Sequence, residues 1–116
     1  MGITTHVLDV ARGVPARGIP VKLERATGTD LSKDWELVGE GETDLDGRCK
    51  TLIPEGVAVT PNAYRITFDT HAYARKNQLE TFFPFVQIVF DVRDSSLHYH
   101  VPILLSPYGY STYRGS

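Results

Sequence analysis

Apolar and polar residues alternate in short runs along this chain, and Gly, Pro and Asp separate the runs, which is the pattern of half-buried antiparallel strands. The alternation predicts strands over residues 4–10, 21–25, 35–42, 48–53, 63–69, 85–93 and 98–106, and a short last one over 110–114. Short strands at this spacing predict an all-β sandwich. Gly18-Ile19-Pro20 leads into one strand, and "TDLDGR" is expected to close a hairpin, with Gly47 supplying a backbone conformation that side chains resist. The same turn lacks the further oxygen ligands and the closing Glu of a calcium loop. Only "DTHAYARKNQ" reads as a helix, about two turns long, capped by Asp69 or Thr70. Without repeats, linkers or low-complexity tracts, residues 1–116 are expected to form one domain.

Residues two apart share a face of a strand, so 98–106 divides into Tyr99, Val101, Ile103 and Leu105 on a core face and His98, His100, Pro102 and Leu104 on the other. The second set is too apolar for a plainly solvated surface, which suggests association between sheets of different subunits with a pocket between them. The first strand divides likewise: Thr5 and Val7 inward, Thr4, His6, Leu8 and Val10 outward. If these two strands are neighbours, His6 and His100 can share one groove. Arg48, just after the Asp46-Gly47 turn, can offer that groove a fixed fork of donors, although a solvated surface arginine is the commoner role. His98-x-His100 with a third histidine also leaves a zinc set open, without Asp, Glu or Cys at ligand spacing. His71, in the expected helix, reads as a surface or packing residue.

Composition narrows the partners. With 12 basic against 14 acidic residues the net charge is -2, which argues against nucleic acid or an anionic membrane. The single cysteine, Cys49, cannot form an internal disulfide and reads as a small buried hydrophobe suited to a reducing compartment. The opening "MGITTHVLDVARG" lacks a basic start followed by an apolar run, and no apolar stretch reaches spanning length, so a cytoplasmic location is expected. No Gly-x-Ser-x-Gly elbow points to a serine nucleophile.

At "THVLDVARGVPARGIPV", "TDLDGRC", "YRITFDT" and "HYHVPILLSPYGYSTYRGS" the chain resembles the transthyretin-like family, and within it the branch that hydrolyses 5-hydroxyisourate. The resemblance implies an antiparallel sandwich of seven to eight strands with one short helix, and a homotetramer whose channel forms where two dimers face each other. The hydrolase branch carries His, Arg and His where the thyroid-hormone carrier has Lys, Glu and Thr; the matching positions here are His6, Arg48 and His100, within "HVLD", "GRC" and "HYHVP". It also implies the reaction: ring opening of 5-hydroxyisourate to 2-oxo-4-hydroxy-4-carboxy-5-ureidoimidazoline in urate breakdown, without cofactor or metal. His6, Arg48 and His100 are then catalytic, with Tyr113, Ser111 and Ser116 joining His6 and Arg48 in holding substrate, and His98 structural. The competing readings are a carrier that only binds its ligand and a histidine-ligated zinc hydrolase.

Overall fold

Alternation becomes two sheets in the structure, a computed structural model that describes residues 2–116. In chain order the elements are β1 (Gly2–Asp9), β2 (Val14–Pro15), β3 (Pro20–Ala26), β4 (Trp35–Glu42), β5 (Arg48–Cys49), β6 (Asn62–Phe68), α1 (Thr70–Lys76), β7 (Val86–Val92), β8 (His98–Ser106) and β9 (Gly109–Thr112). One sheet runs β2-β1-β8-β9 with β5 also paired to β1; the other runs β4-β3-β6-β7. Their inner faces meet over Ile3, Val7, Leu23, Tyr64, Ile66, Phe68, Tyr99 and Ile103, all buried. Burial of this kind, about 1.5–3 kcal/mol for each large apolar side chain, is what offsets the ordering of the backbone.

Three expectations change. The pairing of β1 with β8 is parallel, whereas the other strand pairs are antiparallel. "TDLDGR" does turn, with Gly47 at φ 75 and its N–H donated to the Asp44 carbonyl at 2.9 Å, but it closes no hairpin. It carries the chain from β4 in one sheet to β5 in the other. Finally, β5 is two residues long rather than six, because the chain leaves the sheet after Cys49 while still burying Leu52 in the core. The two-residue β2 was not legible at all, and Pro102, on the outer face by alternation, is buried.

The helix begins where the cap chemistry puts it: the Asp69 carboxylate accepts the Ala72 N–H at 2.9 Å. Buried Asp9, at the end of β1, ties this helix to the sheet, since it accepts from the Tyr73 hydroxyl at 2.8 Å and from Arg12 Nε at 3.1 Å. Thr43 performs a similar service at the crossing between the sheets. Its buried hydroxyl donates to the Ala16 carbonyl at 2.7 Å and accepts the Ile19 N–H at 2.8 Å. Thr43→Val keeps the volume but leaves two buried backbone groups unpaired, and is expected to cost about 1–3 kcal/mol in urea unfolding, most of it recovered by Thr43→Ser.

Candidate active site

The parallel ladder sets Thr4 opposite His100 and His6 opposite Pro102, and the short antiparallel ladder sets His6 opposite Arg48. Thr5, Val101 and Cys49 point into the core on these strands, so Thr4, His6, His98, His100 and Arg48 share the outer face. The turn before Arg48 is pressed onto β1: a side chain on Gly47 would start 2.4 Å from the Val7 carbonyl. Only glycine permits this approach, and it aims the Asp46 carbonyl at His6 Nε2, 2.8 Å away. The Asp44 carboxylate holds the turn by accepting the N–H groups of Arg48 and Asp46, and the first of these bonds leads in keeping it below the usual carboxylate range.

These contacts define proton positions. A carbonyl only accepts, so His6 carries its proton on Nε2 and, when neutral, its lone pair on Nδ1. The His6 and His100 ring centroids lie 6.5 Å apart. Burial, then the charges of Arg48, His6 and His98, hold the His100 imidazole below its ordinary pKa, so its neutral, proton-accepting form persists into more acidic solution. An open pocket of about 320 Å³ is lined by Thr4, Arg48, Lys50, His98, His100 and Ser116. His6 stands beside it.

The end of the chain lies directly on His100. The Gly115 N–H donates to the His100 carbonyl at 2.9 Å, and a side chain at Gly115 would start 2.5 Å from His100 Cδ2. The Arg114 guanidinium covers the Tyr99 ring at 4.8 Å. Of the residues expected to hold substrate, Ser116 lines the pocket, while Tyr113 lines a neighbouring groove of about 240 Å³ that shares His100. Ser111 pairs with Leu104, four residues along β8 from His100 and so about 13 Å from it, and the structure does not bring it to the pocket within one chain. His71 is exposed on α1 and lines a groove on the other sheet. Sequence reasoning gave no role to Thr4 or Lys50, and named Gly115 only within the closing block. Lys50 follows Arg48 by two, a spacing that signals a shared side, and Gly115 carries no periodic signal. Among the described residues no three His, Cys, Asp or Glu side chains gather as a metal site would, and no helix is long and apolar enough to cross a membrane.

Residues 3–115 match the HIUase/Transthyretin family. The chain belongs to that family. It is 45% identical to the 5-hydroxyisourate hydrolase of Salmonella dublin over 98% of this chain and 80% of that relative. Among solved structures, the 5-hydroxyisourate hydrolase of Klebsiella pneumoniae superposes with a TM-score of 0.82 at 32% identity, covering all of both chains. Sea bream transthyretin, in complex with thyroxine, superposes with a TM-score of 0.86 at 29% identity, covering 99% of this chain and 95% of that one. The backbone is as near to a hormone-bound member as to a hydrolase, so the fold cannot choose between these chemistries. Side chains on the outer face must.

Two measurements check this geometry. An NMR titration of His100 should show its midpoint below the ordinary 6.5, and Arg48→Met should move it upward by removing a neighbouring cation. Gly115→Ala forces its methyl into the His100 ring, and should displace the His100 ring resonances while leaving the core resonances of Tyr64 and Phe68 in place.

Proposed function

We propose that this chain hydrolyses 5-hydroxyisourate, opening the ring to 2-oxo-4-hydroxy-4-carboxy-5-ureidoimidazoline in urate degradation, and that it does so without a cofactor. The observation that carries the reading is the meeting of His6, Arg48 and His100 on one outer face in a chain 45% identical to a 5-hydroxyisourate hydrolase. Water attacks the ring amide carbonyl as its proton passes to an imidazole; the carbon–nitrogen bond then breaks, and the departing ring nitrogen takes a proton back. His6 and His100 act as the pair that orients the water and handles these protons, an imidazole being suited to both directions near neutral pH. Arg48 binds ring oxygens and stabilises the charge that develops on the attacked carbonyl. Ser116 and Tyr113 border the substrate.

The outer face also supports a homotetramer in which two dimers face each other across a channel. Leu8 and Leu104 are only half-buried on that face, and Val10 is exposed beyond them. Exposed Val89 and Tyr110 lie on the open edge strands β7 and β9. Ser111, paired with outward-facing Leu104, would face the channel in that assembly. The lone buried thiol, Cys49, fits a cytoplasmic setting.

The second reading, a carrier that binds without catalysis, draws on the likeness to thyroxine-bound transthyretin. Freshly generated 5-hydroxyisourate tests the first: the hydrolase reading requires its ultraviolet absorbance to decay faster with protein than without, and unchanged decay overturns it. His6→Ala, Arg48→Ala and His100→Ala should each lower kcat/KM by about 100-fold or more while light scattering still reports a tetramer. His71→Ala should retain the parent rate, and His98→Ala should lose less than the first three. A rate abolished by chelator and restored by zinc would instead support the metal-dependent alternative.

A further inference from the structure

We propose that Thr4 is a positioning residue whose hydroxyl, shared between His98 and His100, fixes the tautomer of His100 so that the lone pair is left on Nε2. This rests on the hydrolase reading for its kinetic consequence, but the tautomer itself is a property of the folded chain.

Thr4 Oγ1 lies 2.8 Å from His100 Nδ1 and 2.9 Å from His98 Nε2. A hydroxyl has one proton, so it cannot donate to both rings. It either accepts from His100 and donates to His98, donates to His100 and accepts from His98, or accepts from both. In the first and third arrangements His100 carries its proton on Nδ1 and presents an unprotonated Nε2. In the second, Nδ1 is capped by the hydroxyl proton and the neutral ring has nothing left with which to accept a proton.

The surroundings favour an unprotonated Nε2. That nitrogen makes no hydrogen bond to any described residue, and the pocket His100 borders is also lined by two cations, Arg48 and Lys50. A positive field favours a lone pair over an N–H pointing toward it. In the groove on the other side of His100, Asp91 of β7 and Arg114 of the tail bring opposite charges.

The arrangement also acts in the proton transfer itself. When Nε2 takes a proton from water, His100 becomes an imidazolium, and the bond from its Nδ1–H to Thr4 Oγ1 becomes charge-assisted and stronger. Its benefit grows with the charge that forms during the reaction, so its removal lowers kcat more than it raises KM. His98 contributes by accepting the hydroxyl's hydrogen bond on Nε2 and so orienting the hydroxyl. Its loss is smaller than that of Thr4, because water can accept that hydrogen bond instead.

Thr4→Val keeps the shape of the side chain on the outer face of β1 and removes the hydroxyl; Thr4→Ser keeps the hydroxyl. Imidazole nitrogen shifts from ¹⁵N-labelled protein are expected to show His100 protonated on Nδ1 and unprotonated on Nε2 at neutral pH in the parent and in Thr4→Ser. In Thr4→Val the His100 proton should redistribute toward Nε2. On 5-hydroxyisourate, kcat for Thr4→Val is expected to fall about tenfold or more, less than on losing a base outright, with KM changed by about threefold at most and Thr4→Ser close to the parent. A parent His100 protonated on Nε2, or a Thr4→Val protein with unchanged tautomer and kcat, overturns the proposal. A parent protein that accelerates nothing overturns the hydrolase reading instead, and the nitrogen shifts then decide the tautomer alone.

Discussion

The parallel ladder between β1 and β8 carries the rest of the structure. It joins the start of the chain to its last long strand from Gly2↔His98 through Asp9↔Leu105, so almost the entire sequence lies inside the loop that this pairing closes. Its register has no freedom. A slip of β1 by one residue would turn Thr5 and Val7 to solvent and drive Thr4 and His6 into the core. The hydrophobic burial that stabilises the sandwich is therefore the same force that sets Thr4 against His100. With β1 fixed, β5 has a strand edge to pair with, and the glycine turn before it delivers Arg48 opposite His6.

Electrostatics on the outer face follow from this crowding. Arg48, Lys50 and three histidines occupy the face or line its pocket, and like charges so close oppose one another, so partial burial and the neighbouring cation settle His100 in its neutral form. The outcome is a surface that offers both a proton acceptor and a fixed cation, the two things a hydrolytic attack on an amide needs. At the other end of β1 the comparable cluster is exhausted internally. Asp9 spends its carboxylate on Arg12 and Tyr73, and the result there is a pinned helix rather than a reactive group.

Period-two alternation made the two faces of β1 and β8 legible, including Thr4 and His6 outward and Thr5 and Val7 inward, because burial on one side leaves a direct trace in the sequence. It could not show that the two strands pair, or that they pair in parallel, since neighbours in a sheet are chosen by contacts far apart in the chain. "TDLDGR" illustrates the same gap: the local turn was readable from Gly47, but the sheet to which the next strand goes was not. Strands as short as β2 and β5 leave too few positions for any period. Residue chemistry alone went no further than two histidines and an arginine able to meet. Taking them as the candidate site rested on the resemblance at "HVLD", "GRC" and "HYHVP", and the strand pairing sets the three on one face.

Near-equal superposition on a hydrolase and on a thyroxine-bound transthyretin has a physical basis in the strands themselves. Alternate residues of β1 and β8 answer to separate demands. The inner set, Ile3, Val7, Tyr99 and Ile103, must fill the space between the sheets, and a change of one methylene there is felt. The outer set takes no part in filling that space, so His6, Arg48 and His100 can be exchanged for other residues without repacking the core beneath them. One backbone can therefore support hormone binding or hydrolysis. The exception is the closing segment, where Gly115 lies so close to the His100 ring that a larger residue needs a smaller partner at position 100. The tail and the imidazole are thus one structural unit, and the chemistry of the face is tied to the last residues of the chain by contact rather than by sequence distance.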